Sequence, residues 1–207
     1  MKIGITGGIG SGKSYVCQRL KFRGIEVYDC DTAAKRLIRT SPIIYKELTA
    51  LIGPDAYIKG DEQGTNDDRT LNKAAVARFL LESEANTKAI DAIVHPAVFR
   101  DFEQSGIEWM ESAILYESGI CQLVDRAVVV TAPDEVRIQR VMQRDGISRE
   151  KVLQWMQHQW PQAEVRRRAD YEIINDGVAD IDAQIDSLLK AIGTTGRTAT
   201  EQTTLTK

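Results

Sequence analysis

A glycine-rich loop near the amino terminus contains the residues with the most specific chemistry. Residues 7–14 are Gly-Gly-Ile-Gly-Ser-Gly-Lys-Ser, which satisfies the pattern G-x-x-x-x-G-K-[ST]. Glycines let the backbone wrap closely around phosphates with its N–H groups pointing inward. In this pattern Lys13 is the point charge for the β- and γ-phosphates, and Ser14 offers its hydroxyl to Mg²⁺. The loop follows a predicted strand and opens a predicted helix, so it indicates a nucleoside-triphosphate site.

Other nucleotide motifs fit the sequence less well. A dinucleotide-binding G-x-G-x-x-G fails on spacing, because its third glycine would fall on Lys13 or Tyr15. A GTPase would need a guanine-reading N-K-x-D, but residues 72–75 are Asn-Lys-Ala-Ala and lack the aspartate. A D-x-x-G match at residues 61–64 does not follow a predicted strand. We interpret these last two matches as chance.

Two carboxylates, Asp29 and Asp31, directly follow the second predicted strand. In open α/β sheets the carboxyl ends of the strands point to the ligand crevice. There the pair could orient an attacking hydroxyl, accept its proton, or hold Mg²⁺ through water. The alternative for one of them is a helix N-cap, for which Asp31 before Thr32 is well placed.

An arginine cluster follows in the second half of the chain. Arg137, Arg140 and Arg144 are spaced i, i+3, i+7 and therefore share one face of a predicted helix. Arg149 and the run at 166–168 come after them. Guanidinium groups suit the clamping of a transferring phosphoryl group. The alternative is a solvated face paired with nearby acids; for the whole group we favour a mobile lid.

Composition limits the function classes. The 207 residues carry 27 basic and 30 acidic side chains, a net charge of −3, which argues against gripping nucleic acid through overall charge. The charge is uneven, because residues 126–168 hold nine basic and five acidic side chains. No apolar run approaches the ~20 residues of a membrane span. Three widely spaced cysteines predict neither a disulfide framework nor a zinc site. We expect a soluble cytoplasmic protein.

Alternating strand and helix patterns predict the fold class. An apolar run at 2–6, helical spacing at 15–22 and a second apolar run at 25–28 indicate a βαβ unit, which requires a parallel sheet. Residues 32–104 are mostly helical in pattern and too long for an ordinary crossover. Further strands are predicted at residues 112–116, 127–131 and 171–174, and a last helix near Ile181.

Several motifs occur in a specific order between residues 2 and 192. They are the phosphate loop, Asp29-Cys30-Asp31, His95-Pro96, Leu115-Tyr116-Glu117-Ser118-Gly119, the arginine helix, and Ala169-Asp170-Tyr171 with Asn175. In this order the chain resembles the dephospho-CoA kinases, a family of P-loop kinases. A phosphate loop alone would be generic, whereas the ordered set is specific.

The resemblance implies an α/β fold with a three-layer P-loop kinase core, a parallel sheet, a helical substrate-binding insertion and a helical lid. It implies a single kinase domain over residues 1–192, whereas the composition of residues 193–207, rich in Thr, Gly and charged residues, predicts a disordered tail. The expected parts of the domain are a core at about 1–31, 107–136 and 169–192, a helical insertion at about 32–106, and a lid at about 137–168.

The resemblance also implies a reaction, the ATP-dependent phosphorylation of the ribose 3′-hydroxyl of dephospho-coenzyme A. The cofactors would be ATP and Mg²⁺, and the partner a small molecule, with no nucleic acid, membrane or protein partner. The phosphate loop by itself does not separate this reaction from phosphorylation of another nucleoside or alcohol, or from a nucleotide-dependent switch. The paired aspartates and the arginines favour a kinase, because a switch needs no acceptor-side carboxylate.

Carried over by position, the family's site residues fall on matching positions of this chain. Its catalytic residues would be Asp31, as general base or hydroxyl-orienting residue, Lys13 and Arg140. The nucleotide would contact Gly8, Gly10, Ser11, Gly12, Lys13, Ser14, Tyr15, Arg144 and Asn175, the last near the adenine. The acceptor would contact Asp29, Asp31, Lys73, His95 and Glu117. Mg²⁺ would bind Ser14 directly and Asp31 through water.

The chain departs from the family pattern at two positions. Ala113 stands where the family usually has a proline, and Lys73 stands where an arginine is usual. A lysine keeps the charge but loses the bidentate fork of a guanidinium group. His95 has an alternative role as a capping or core histidine before Pro96.

Overall fold

The computed structural model describes residues 1–58 and 69–193. They form two compact units, which we call the sheet unit (Met1–Tyr28 and the described residues from Ile107 onward) and the helical unit (Asp29–Gly106). The D-x-x-G match at 61–64 and, apart from Gly193, the predicted disordered tail lie outside the described residues. The predicted division into core, insertion and lid stays a prediction.

The described residues form seven strands and nine α-helices. In chain order they are β1 (Ile3–Thr6), α1 (Lys13–Phe22), β2 (Val27–Asp29), α2 (Cys30–Thr40), α3 (Pro42–Ile52), β3 (Tyr57–Ile58), β4 (Thr70–Leu71), α4 (Lys73–Glu82), α5 (Glu84–Ser105), β5 (Trp109–Glu111), β6 (Arg126–Thr131), α6 (Asp134–Asp145), α7 (Arg149–Gln157), α8 (Gln162–Arg168), β7 (Tyr171–Ile174) and α9 (Ile181–Ala191). Within residues 1–58 and 69–193, no helix is both long and apolar enough to cross a bilayer.

The sheet has five strands in the order β2-β5-β1-β6-β7. Strand β1 pairs in parallel with β5 and β6, and β6 pairs in parallel with β7. All four residues of β1 are buried, as expected for the centre of a parallel sheet covered on both faces. The α/β prediction with a parallel sheet is confirmed.

One face of the sheet packs against α1 and α9. Apolar residues of α9 recur at helical spacing and meet those of α1 and the strands. The cluster contains Ile3, Ile5, Val16, Cys17, Leu20, Ile25, Val27, Trp109, Val128, Val130, Ile173, Ile181, Ile185, Leu188 and Leu189. Beside it the buried guanidinium of Arg23 pairs with Asp182 and Asp186 of α9, each at 2.9 Å. These contacts fix the helix that begins at the phosphate loop.

The prediction of a strand at residues 112–116 is wrong. Strand β5 ends at Glu111, and the chain then turns, with the N–H of Ser118 donating to the carbonyl of Ile114 at 3.0 Å. Leu115 of this segment packs under the sheet instead of extending it, and its side chain is fully buried beneath Gly4 of β1. A Cβ on Gly4 would lie 3.0 Å from Leu115 Cδ1. The apolar run therefore reflects turn packing rather than a strand.

The helical unit has its own core. Ile44 and Leu48 of α3 pack with Ala56 and Tyr57, and the small antiparallel pair β3–β4 closes over them. Helix α5 runs without a break through Pro96. The unit contains the helices expected for the insertion.

Candidate active site

Glycines of the phosphate loop adopt conformations that other residues avoid. Gly10 and Gly12, between β1 and α1, have φ values of 78° and 88°. A Cβ on Gly12 would lie 2.0 Å from Asn175 Nδ2, and a Cβ on Gly10 would lie 2.5 Å from the carbonyl oxygen of Arg137. Both positions thus require glycine for backbone geometry and for close packing.

The loop presents a set of unused amide donors. The N–H groups of Tyr15 and Val16 already donate to the carbonyl of Gly12. No residue of the described chain accepts a hydrogen bond from the N–H groups of Gly10, Gly12, Lys13 and Ser14. These donors lie at the start of α1, where the helix dipole adds positive partial charge. The arrangement is suited to bind phosphates.

Lys13 folds back onto the loop. Its ammonium donates to the carbonyl of Gly7 at 2.8 Å. Burial lowers the pKa of Lys13 from its ordinary value, and the nearby carboxylate of Glu111 partly opposes that effect. An anion beside this ammonium would favour its charged form.

Glu111 is a site residue that the sequence analysis missed. It is the last residue of β5, the strand next to β1, and its Oε1 accepts a hydrogen bond from Ser14 Oγ at 3.2 Å. Parallel strands carry their ligand-binding residues at their carboxyl ends, so the strand end was the available signal. The strand predicted at residues 112–116 placed that end too late in the chain.

Ser14 and Glu111 fit the requirements of a magnesium site. Mg²⁺ prefers oxygen ligands and is usually held by one or two protein oxygens together with phosphates and water. Across residues 1–58 and 69–193, no group of three or more His, Cys, Asp or Glu side chains could hold a metal by itself. A Mg²⁺ ion at this point would therefore take most of its ligands from the nucleotide and from water.

The predicted arginine face is divided among three environments. The side chain of Arg137 is 5% exposed, and that of Arg144 is 63% exposed and pairs with Asp145. Arg140 lies between them and donates to the backbone carbonyl of Asn175 at 2.9 Å and to its Oδ1 at 3.2 Å. Helical spacing predicted a shared face but not this gradient of burial.

Asn175 connects the phosphate loop to Arg140. Its Nδ2 donates to the carbonyl of Ser11 at 2.8 Å, and the residue is buried. Ser11 therefore contacts Asn175 through its backbone carbonyl. The Ser11 side chain is buried as well. Tyr15, another predicted nucleotide residue, is 47% exposed on α1. The structure thus brings Ser11, Arg140 and Asn175 together, and the adenine role of Asn175 stays a prediction.

Glu117 lies in an aromatic cluster of the sheet unit. Its Oε1 accepts a hydrogen bond from the backbone N–H of Trp160 at 3.2 Å. The Trp160 ring stacks on Tyr116 with a centroid distance of 6.1 Å and an angle of 5°, and the Arg168 guanidinium lies 4.5 Å from the Trp160 centroid. Burial raises the pKa of Tyr116 to about 12, so its phenol stays neutral.

The two aspartates have different contacts at the start of α2. Asp29 is the N-cap of α2, accepting hydrogen bonds from Thr32 N at 3.0 Å and Thr32 Oγ1 at 2.7 Å. The N-cap considered for Asp31 is therefore wrong. The Asp31 side chain is 78% exposed and pairs with Lys35, whose pKa it raises.

Two further predicted acceptor residues belong to the helical unit. His95 lies on α5 with its Nε2 3.6 Å from Asp91 Oδ1 and its ring stacked on Phe99. Lys73 is the first residue of α4, directly after the N-cap Asn72, whose side chain accepts from Ala74 N and Ala75 N. The Asn-Lys pair is thus explained by helix capping.

Comparison with known proteins gives consistent matches over most of the chain. The family model described as CoaE, dephospho-CoA kinase, matches residues 1–180. A dephospho-CoA kinase of Bacteroides fragilis is 39% identical in an alignment over 196 residues that covers 91% of this chain and 91% of the relative. A crystal structure of a Thermus thermophilus protein has a TM-score of 0.79 at 34% identity and covers 94% of this chain and 98% of its own. A dephospho-CoA kinase structure from Campylobacter jejuni, 18% identical with a TM-score of 0.59 over 93% and 96% of the two chains, shares the fold.

Proposed function

The chain belongs to the dephospho-CoA kinase family, and we propose that it transfers the γ-phosphoryl group of ATP to the ribose 3′-hydroxyl of dephospho-coenzyme A. The products would be ADP and coenzyme A, and the family catalyses the last step of coenzyme A biosynthesis. Membership confirms the resemblance predicted from the ordered motifs and makes the chain a phosphotransferase. The observation that carries the donor half of the proposal is the phosphate loop with its unused amide donors.

The donor side would bind the triphosphate of ATP. The N–H groups of Gly10, Gly12, Lys13 and Ser14 would donate to phosphate oxygens, with further contacts from Gly8, Ser11 and Tyr15. Lys13 would leave the carbonyl of Gly7, 2.8 Å away, for the β- and γ-phosphates. Because phosphoryl transfer depends on positioning and charge, these fixed donors would supply most of the donor-side catalysis.

A magnesium ion would be held beside Ser14. The Ser14 hydroxyl and the Glu111 carboxylate, 3.2 Å apart, are the two oxygens of the sheet unit that we assign to it, and Asp31 would contribute through water. When bound, the ion neutralises charge on the phosphates. Lys13 and Arg140 would complement it by placing positive charge on the phosphate chain.

Asp31 would act on the acceptor. Its carboxylate would accept the proton of the 3′-hydroxyl as the new oxygen–phosphorus bond forms and the bond between the γ-phosphorus and the leaving ADP oxygen breaks. Asp29 is committed to capping α2, whereas Asp31 is exposed with an exposed lysine as its partner. This difference supports Asp31 as the acting carboxylate and Asp29 as its support.

The remaining predicted residues complete the proposal. Arg140 and Arg144 would cover the phosphates from a lid at about residues 137–168, and Asn175 would lie near the adenine. Lys73, His95 and Glu117 would contact the acceptor, the first two from the insertion. We place the reaction in the cytoplasm, as expected from the sequence.

A panel of acceptors tests the proposal. Purified protein with ATP and Mg²⁺ is assayed for ADP release in the presence of dephospho-CoA, adenosine, shikimate or no acceptor. We expect release that depends on dephospho-CoA and is matched by coenzyme A formation. Robust transfer to a different hydroxyl, or ADP release without any acceptor dependence, would contradict the assignment.

A further inference from the structure

One residue of the phosphate loop is held from outside at three points. The N–H of Ile9 donates to Gln159 Oε1 at 2.7 Å, and its carbonyl accepts from Arg137 Nε at 2.9 Å. Its side chain packs against the apolar cluster of Ile138, Val141 and Val152 between α6 and α7. Both polar groups of the Ile9 backbone are therefore bound by side chains from outside the loop.

Arg137 reaches the loop from the first turn of α6. Its side chain is 5% exposed, and its Nη1 donates to Asp134 Oδ1 at 2.9 Å. A Cβ on Gly8 would lie 2.3 Å from Arg137 Nη2 and 3.0 Å from Cζ. Gly8 is a variable position of the motif and does not have a positive φ. The glycine at position 8 is thus required by the packed guanidinium group.

Gln159 reaches the loop from the segment between α7 and α8. This segment is itself anchored, because the N–H of the next residue, Trp160, donates to Glu117 and its ring packs between Tyr116 and Arg168. The backbone N–H of Gln159 also donates to the carbonyl of Met156 at 3.2 Å. The amide that holds Ile9 is therefore presented by a fixed support.

We propose that Arg137 and Gln159 are positioning residues that hold the phosphate loop in its nucleotide-binding shape. A loop with four glycines among residues 7–12 loses much backbone freedom when it orders around phosphates. Contacts that fix the loop beforehand reduce that cost and so increase affinity. Neither side chain needs to touch the nucleotide. The inference rests on the proposed function only for the choice of ATP as ligand.

Two near-isosteric substitutions test this role. Gln159→Met removes the acceptor for the Ile9 N–H, and Gln157→Met makes the same change on an exposed residue at the end of α7. The Kd for Mg²⁺-ATP, measured by calorimetry without acceptor, is expected to rise about tenfold for Gln159→Met and to stay unchanged for Gln157→Met. The KM for ATP should rise similarly while kcat stays within about twofold of the parent.

A double-mutant cycle tests the pairing of Gly8 with Arg137. Gly8→Ala should displace the guanidinium group, and Arg137→Met should remove it, so each alone is expected to weaken ATP about tenfold. Because both act through the same contact, Gly8→Ala should add little to Arg137→Met. If Arg137→Met does not fold, the test of the inference is the Kd for Mg²⁺-ATP of Gln159→Met compared with that of Gln157→Met.

Three results would overturn the inference. The first is an unchanged ATP affinity in folded Gln159→Met, and the second is fully additive losses of ATP affinity in the double-mutant cycle. The third is an ATP affinity that falls only as far as the fraction of folded protein falls, with that fraction measured by urea unfolding. Calorimetry requires no acceptor, so these outcomes are independent of whether dephospho-CoA is the substrate. A parent protein that binds ATP without forming coenzyme A would contradict the proposed function and leave this inference standing.

Discussion

The phosphate loop and the exposed carboxylate of Asp31 are held in opposite ways. Loop backbone groups are bound from several elements: the carbonyl of Ser11 by Asn175, and the peptide groups of Ile9 by Gln159 and Arg137. Asp31, in contrast, is 78% exposed and has Lys35 on the next helical turn as its partner. Contacts within the protein therefore fix the loop, whereas Asp31 lies in solvent with an exposed lysine as its partner.

The largest effect is expected on the acceptor side. Asp31→Asn should lower kcat by about a thousandfold, because the amide cannot accept the hydroxyl proton. The affinity for ATP should stay unchanged, since the loop contacts are intact. Turnover and calorimetric ATP binding are measured together, with the exposed Asp55→Asn as the control. A kcat near that of the parent would remove Asp31 from the mechanism.

The next effect breaks the donor site through its backbone. Gly12→Ala should weaken ATP about a hundredfold, because φ is 88° and the new Cβ would lie 2.0 Å from Asn175 Nδ2. Gly24→Ala is the matched control, with a φ of 78° and open space around its Cβ position. It should lower the urea midpoint while leaving ATP affinity intact. Equal losses of ATP affinity in both variants would contradict the packing argument.

A smaller effect is expected at the missed residue. Glu111→Gln should raise the Mg²⁺ concentration needed for half-maximal activity by about tenfold, since it removes the charge beside Ser14 and keeps the shape. The measurement is a Mg²⁺ titration at saturating ATP. Glu26→Gln, on an exposed residue of the sheet unit, provides the control. An unchanged titration would exclude Glu111 from the metal site.

The smallest effect concerns the protonation of Lys13. Burial lowers the pKa of this ammonium in the free protein, and bound phosphates favour its charged form and raise that pKa. At alkaline pH values between the pKa of Lys13 in the free protein and its higher pKa in the complex, ATP binding should therefore take up protons. ATP affinity should weaken as the pH rises through the same interval, whereas at lower pH Lys13 is charged in both states. Calorimetry in buffers of different ionisation enthalpy measures the uptake. Proton uptake of the same size in Lys13→Met would show that a group other than Lys13 takes up the protons.

The sequence predicted the donor site better than the acceptor site for a physical reason. Phosphate binding by a backbone demands glycines at fixed spacing, so residues 7–14 identify both the loop and the βαβ unit around it. An exposed carboxylate such as Asp31 leaves no comparable pattern. Its place after the second predicted strand indicated a role for the pair, and the resemblance assigned that role to Asp31. The choice between Asp29 and Asp31 as N-cap needed the backbone geometry of α2.

Two features of the sheet unit required the fold itself. Glu111 was missed because the apolar residues 113–115 suggested a continuing strand, whereas Leu115 fills the space under Gly4. Arg137 shares helical spacing with Arg140 and Arg144, and spacing does not show which residue meets the loop. Periodicity identifies a helix face, but the neighbours of that face come from tertiary packing.

The phosphate loop is proposed to deliver a phosphoryl group to one hydroxyl of dephospho-CoA. The most direct measurement is the ³¹P spectrum of the product formed from dephospho-CoA and ATP, compared with authentic coenzyme A. We expect a single new phosphomonoester signal at the ribose 3′ position, absent in Asp31→Asn. A phosphomonoester at another position, or no new signal while ATP is consumed, would contradict it.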